Sequence, residues 1–361
     1  MKQSIRDLIY LAACDVNSII PDKARVEQMN MEELETAASF HKMDAIAAYA
    51  LAAAGIELPF CTEAIDGETR KEILWSFERQ TVFDALNREK IWYMPLKGAI
   101  LKDLYPKIGM RQMSDTDILF DKKRADDVRE IMESLGYETI HFGEGHQDDY
   151  QKEPFFHFEM HRVLFSEAEG EVFYAYYQEI EMRLLPGDGF ERCFSSEDFY
   201  VYMIAHAYKH YTWQGIGLRS LLDVYVYLTK HQKDLDWAYI HGELERLELV
   251  TYESQTRCLA EKVFRVNGLQ GLSAEEENSL NIYARSGMYG TEERHIQIMA
   301  EQAGRFSYIL QRVFLPMPKV EQFYPFFYRH RVLLPVLPLY RLIRGSKNAK
   351  KEWNALHKKH E

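Results

Sequence analysis

The stretch that decides the fold is "MPLKGAILKDLYPKIGMRQMSDTDILF", Met94 to Phe120. It packs a Lys-Gly pair, a lone arginine and an Asp-Thr-Asp into one window. The flanking segment "IWYMPLK" is a short β-like run that ends at Gly98. "AILKDLY" then reads as helix, and "DTDILF" as a strand rich in β-formers. Downstream, "KRADDVREIMESLGY" is an amphipathic helix with Gly136 as its cap, and "FFHFEMHRVLF" alternates as a strand does. "YYQEIEMRLL" shows the same alternation, so it too is expected as a strand. The middle of the chain, about residues 91–190, is therefore expected to be an α/β unit that starts strand-helix-strand-helix.

Outside that unit the period is helical. Residues 1–90 carry "MEELETAASFHKMDAIAAYALAAAG", which ends at a capping Gly55. They also carry "TRKEILWSFERQTVFDALNREK", with Ile73, Leu74, Phe77, Val82, Phe83 and Leu86 as its apolar positions. After the turn cluster "PGDG" (Pro186 to Gly189), residues 191–361 return to helix. They begin with Ser196 as the expected N-cap of "SEDFYVYMIAHAYKHYTW". They close in a Pro-punctuated aromatic stretch with Arg329, Arg331, Arg341 and Arg344, then a basic tail. Prolines 325, 335 and 338 break any long amphipathic helix there, which favours packing on the body over a membrane-surface role.

Composition narrows the function. The chain has 361 residues, 47% of them hydrophobic, enough for two or three packed units. Its net charge of −12 disfavours a polynucleotide partner, because phosphate binding needs a concentrated basic face. Cys14, Cys61, Cys193 and Cys258 form no C-x-x-C and have no metal spacing, so reduced thiols and a cytoplasmic location are expected. "LAAC" (Leu11 to Cys14) imitates a lipoprotein cleavage site, but the apolar run before it is too short. No apolar run reaches the roughly 18 residues of a membrane span. Walker A, G-x-G-x-x-G and G-x-S-x-G motifs are absent.

Asp115 and Asp117 stand two apart on the expected strand, so both side chains take one face, roughly 6–7 Å apart at the backbone. Carboxylates so placed repel unless a cation sits between them. Alone, D-x-D is common and reads as ordinary surface. Here its neighbours are Gly98, which opens a helix where N–H groups and the dipole can hold phosphate, and Lys97 and Arg111 as counter-charge. Two Mg²⁺ ions, with Mn²⁺ as the alternative, fit the carboxylates. A further carboxylate is expected on a neighbouring strand. Glu159 offers one, flanked by His157 and His161 on the same face, and Glu179 and Glu181 compete for that place. His206 and His210, four apart on one helix face, have metal-ligand spacing, but with no H-E-x-x-H they read more simply as lining a cleft or bonding helices together. Lys209 is weighed as a nucleotide contact against an ordinary surface lysine, and Arg219 with Asp223 reads most simply as an intrahelical ion pair.

The order Lys97-Gly98, Tyr105, Arg111, Asp115-x-Asp117, Gly136-Tyr137, Glu159-x-His161 resembles the bacterial uncharacterised nucleotidyltransferases of the polymerase-β-like superfamily. "HKMDAIAAYAL", "HAYKHYTWQGIGLRSLLDVYVYL" and "FYPFFYRHRVLLPVLPLYRLIR" extend the resemblance over most of the chain. It departs at Gly98-Ala99, where the superfamily has Gly-Ser or Gly-Gly, and in the longer spacing from Gly98 to Asp115. The resemblance implies an α+β fold, a nucleotidyltransferase core with a small mixed sheet at 91–190 between helical regions at 1–90 and 191–361. It implies Asp115, Asp117 and Glu159 as catalytic metal ligands, with Glu159 preferred because it follows the Gly136-Tyr137 helix. Lys97, Gly98 and Arg111 would bind an NTP, and His161, His206 and His210 would line the acceptor side. The expected reaction moves a nucleoside monophosphate to an unknown small molecule or protein and releases pyrophosphate. The alternative is a catalytically silent nucleotide-binding or scaffold protein of the same fold.

Overall fold

The computed structural model describes residues 1–143, 145–213, 215–287, 317, 320, 324–338 and 340. Arg341, Arg344 and the basic tail lie outside the described residues, as does most of the chain beyond 287. The architecture is α+β: a five-stranded mixed sheet set among many helices. Among the described residues no helix is long and apolar enough to cross a membrane.

Helices α1 (Gln3–Val16), α2 (Lys23–Val26), α3 (Met31–His41), α4 (Asp44–Ala53) and α5 (Pro59–Arg88) precede the sheet. The Ala-rich segment expected as one helix is two, because Lys42 turns left-handed at φ 53° between α3 and α4. Gly55 ends α4 as expected. Its φ of +76° lets the Ile56 amide reach back to the Leu51 carbonyl, the Schellman closure.

The sheet runs β1 (Tyr93–Pro95), β2 (Thr116–Phe120), β5 (Phe156–His161), β4 (Gln147–Lys152), β3 (Glu138–His141). Only β2 and β5 are parallel; the other neighbours are antiparallel. α6 (Gly98–Leu101) and a 3-10 turn follow β1, and α7 (Ala125–Ser134) follows β2. The hairpin β3–β4 has no counterpart in the sequence reading. β3 is largely exposed and β4 is rich in Asp and Gln, so neither shows an apolar alternation.

The sheet has one mainly apolar face and one on which ionisable groups gather. Ile118, Phe120, Tyr150, Phe156, Phe158 and Met160 pack under α5 and α7 with Trp75, Val82, Val128 and Met132. The residues between them, Asp117 on β2 and His157, Glu159 and His161 on β5, therefore point the other way. The apolar stripe of α5 is not the expected one. Trp75, Val82 and Leu86 are buried, whereas Ile73, Leu74 and Phe77 are exposed. The large indole, edge-on to Phe156 at 5.1 Å, sets the rotation of the helix, and Arg79 and Glu72 are buried together as an ion pair.

"YYQEIEMRLL" is also not a strand. It holds the end of α8 (Glu171–Tyr177) and a 3-10 turn, Ile180–Arg183. The buried positions are Phe173, Tyr177 and Ile180, spaced four and three, so the helical period wins over the apparent alternation. Glu179 and Glu181 are exposed there. A two-residue hairpin, β6 (Leu185–Pro186) with β7 (Arg192–Cys193), leads to α9 (Ser196–Trp213), α10 (Leu218–His231), α11 (Trp237–Arg246), α12 (Val250–Val263) and α13 (Ala274–Ser286). Ser195, one residue before the expected cap, accepts the Asp198 amide and so caps α9. α9 and α10 join α1, α3 and α4 in the larger hydrophobic cluster.

The reassigned face of α5 is open to measurement. Trp75→Ala should cost about 3–5 kcal/mol in urea unfolding, and Phe77→Ala less than about 0.5 kcal/mol. Equal losses would restore the face read from sequence.

Candidate active site

The ionisable face of the sheet forms one wall of a cavity of about 290 Å³, and α9 and α10 form the other. Lys97, Gly98, Arg111, Asp115, Asp117 and Glu159 line the first wall; His206, His210, Arg219 and Asp223 line the second.

The parallel register pairs Asp117 with Glu159 directly across β2 and β5. His161, two residues along β5, brings Nε2 to 2.9 Å from Asp117 Oδ1. One ligand atom from each of Asp117, Glu159 and His161 lies within 4.8 Å of the other two. His161, read from sequence as an acceptor-side residue, is thus in direct contact with Asp117. Asp115 lies just before β2, held by the Ser114 hydroxyl at 3.3 Å, and lines the cavity beside this group. Glu179 and Glu181 are not among the lining residues.

Lys97 supplies the positive charge. Its ammonium donates to Asp117 Oδ1 at 2.8 Å from a backbone held at φ 43°, ψ −110°, a sparsely populated region for a side-chain-bearing residue. Burial opposes the charge of Asp117, yet Lys97 and His161 outweigh it and hold the carboxyl well below the usual range. Glu159 is less well compensated: burial first, and the Asp117 charge second, outweigh Lys97 and push it up to about 8. Burial keeps His161 neutral, its pKa lowered.

The phosphate-binding reading of the Lys-Gly turn changes in two respects. Helix α6 spans only four residues, and the Ala99 and Ile100 amides already donate to the Leu96 and Lys97 carbonyls at 3.1 Å. The small size of Gly98 also serves a protein group. A Cβ there would lie 2.4 Å from Arg111 Nη1. Arg111 is buried and gives Nε and Nη2 to the two oxygens of Asp223 on α10, each at 2.9 Å. The Tyr105 hydroxyl donates to the same carboxylate at 2.7 Å. Asp223, expected as the partner of Arg219, thus anchors the sheet side of the cavity to the helical side, while Arg219 reaches the Gln112 carbonyl. Spacing along one helix cannot disclose a partner more than 100 residues away.

On the facing wall His206 and His210 stack four apart on α9, Nε2 to Nε2 at 3.1 Å. Burial drives both pKa values down, that of His210 to about 3. Lys209 turns away from the cavity lining and donates to Glu169 at 2.8 Å.

A family model described as an uncharacterised nucleotidyltransferase matches residues 27–265. The chain belongs to that family. The matched span contains the sheet, α9 and α10, so the family's pattern covers both walls. No curated protein and no solved structure matches the chain. For a member of a nucleotidyltransferase family, the donor set can be tested against a divalent cation. Two carboxylates and an imidazole converge in a part-buried pocket, and a lysine ammonium sits on one of the carboxylates. Hard oxygen donors with one nitrogen fit such an ion.

Two outcomes follow from this geometry. Gly98→Ala must displace Arg111 and should lower stability by about 1–3 kcal/mol by overpacking, read from urea unfolding; an unchanged midpoint would show that the contact yields. The second concerns pH in chelator-treated protein. A raised Glu159 pKa stabilises the folded state below the unfolded value, and that contribution is lost as pH climbs through about 8. Asp117 acts oppositely, its contribution being lost only in acid below the ordinary carboxylate range. Tm should therefore fall from about pH 5 to pH 8, and Glu159→Gln should flatten that slope. A slope unaltered in the variant would assign it to other groups.

Proposed function

We propose that this protein is a Mg²⁺-dependent nucleotidyltransferase of polymerase-β-like mechanism, which moves a nucleoside monophosphate from an NTP to a small molecule or protein and releases pyrophosphate. The observation that carries the reading is the pairing of Asp117 with Glu159 on adjacent parallel strands, facing a helical wall across the cavity. Family membership supports the same chemistry.

Asp117, Glu159 and His161 would hold the divalent cation, with Asp115 beside them. A cation bound there supplies charge to the phosphates and lowers the pKa of an attacking hydroxyl. Lys97 brings a further positive charge to the same wall, within reach of phosphate oxygens that can share its ammonium. Arg111 acts indirectly: bound to Asp223, it fixes the turn that carries Lys97 and Gly98. His206 and His210 are too weakly basic to hold a proton at neutral pH, so they orient an acceptor by hydrogen bonding and do not deprotonate it. The acidic balance of the chain favours a small or protein acceptor over a polynucleotide.

Binding separates this reading from a silent scaffold. With Mg²⁺ present an NTP should raise Tm, since a ligand of the native state stabilises it by mass action. Without Mg²⁺ the shift should shrink, because the clustered carboxylates repel a triphosphate. Asp117→Asn should lose the Mg²⁺-dependent part of the shift. A wild type that ignores every NTP would end the nucleotide reading. A label from an NTP found on lysate components, and absent with Asp117→Asn, would then report the acceptor class.

A further inference from the structure

The ionisable face continues past Glu159. The strand registers place Asp117 opposite Glu159, Glu159 opposite Asp149 on β4, and Asp149 opposite His141 on β3. His157 precedes Glu159 by two residues and so shares its face, with Nε2 4.0 Å from Asp149 Oδ1. Asp149, His157 and Glu159 each bring a ligand atom within 4.8 Å of the other two. This second group shares only Glu159 with the first and lies on its far side, toward β4.

We propose that Asp149, His157 and Glu159 bind a divalent transition-metal ion of the Zn²⁺ class, separate from the ion held by Asp117. In a tetrahedral shell with bonds near 2.1 Å, ligand atoms stand roughly 3.4 Å apart. The observed spread closes to that by small movements of side-chain tips, without moving the strands. The surroundings set the selectivity, since both groups offer two carboxylates and an imidazole. The first adjoins Asp115 and opens on the cavity, where further oxygen donors can complete the shell Mg²⁺ prefers, whereas Asp149 and His157 are not among the cavity's lining residues, and three protein ligands of this kind suit Zn²⁺. His141 supports the site from behind: its Nδ1 lies 3.2 Å from Asp149 Oδ2, where it can orient a carboxylate whose other oxygen is bound. The Gln147 amide, now donating to Asp149 Oδ1 at 2.9 Å, occupies the position the ion takes over. An ion here would pin the polar hairpin to β5 and fix Glu159 from the side opposite Asp117.

The inference does not rest on nucleotide transfer, and its test contains no nucleotide. Chelator-stripped full-length protein is dialysed against Zn²⁺ in the presence of a large excess of Mg²⁺, and Co²⁺ uptake is followed by visible absorption. Wild type should bind one equivalent more than either His157→Gln or Asp149→Asn, a difference that cancels any Zn²⁺ on other histidines. His141→Ala should weaken that equivalent by about tenfold or more. Asp117→Asn should keep it. Circular dichroism and urea unfolding establish that each variant is folded, and His157, half-buried on the open face, is the substitution least able to disturb the core. Wild-type stoichiometry and affinity in folded His157→Gln overturn the proposal. So does loss of all Zn²⁺ binding in Asp117→Asn, which would leave a single site.

Discussion

The ion pair between Lys97 and Asp117 is the constraint around which the rest is arranged. A carboxylate almost wholly removed from water is costly unless a cation is at hand, and Asp117 has 9% of its side chain exposed. Lys97 meets it only because the backbone at the strand-helix turn enters the left-handed region at φ 43°. That turn in turn needs Gly98, since a Cβ would strike Arg111, and Arg111 needs Asp223. A chain of dependence thus runs from one carboxylate on β2 through a half-buried lysine and a buried arginine to a helix more than 100 residues downstream.

The sheet explains why the charges gather at all. Its other face is mainly apolar and covered by α5 and α7, so the alternate residues of β2, β5 and β4 are forced to the opposite face, where Asp117 and Glu159 line the cavity. On that side the strands carry Asp117, His157, Glu159, His161 and Asp149 beside a single buried aliphatic of β2, Leu119. Polar groups so concentrated cost stability as they stand, which is the usual mark of residues kept for chemistry.

Where the sequence carries a local period, it was legible. β2 and β5 show their alternation, the Gly55 and Gly136 caps stand where helices end, and Glu159 could be placed beside the Asp pair. The hairpin β3–β4 was not legible, because strands whose exposed side is as polar as a loop leave no pattern. The segment at 176–185 misled because short aromatic runs fit both periods, and only the burial of Phe173, Tyr177 and Ile180 decides. On α5, Ile73, Leu74 and Phe77 look as apolar as the buried Trp75, Val82 and Leu86, but one tryptophan fixes the rotation. At the site, the residue types were readable and their partners were not. The partner of Arg111, Asp223, lies too far along the chain for spacing to announce it, and the contact of His161 with Asp117 depends on a register that no single strand encodes.

The anchor between Arg111 and Asp223 also bears on how the cavity behaves over time. The pair is buried and bidentate, so parting the two walls would break two charge-assisted hydrogen bonds at once. At the far side Lys209 clasps Glu169 across α9 and the loop after β5, with both side chains largely covered. The α10 wall is thus tied to the Lys-Gly turn and α9 to the loop after β5. A cavity held in this way would gauge a molecule by its fit between walls already set.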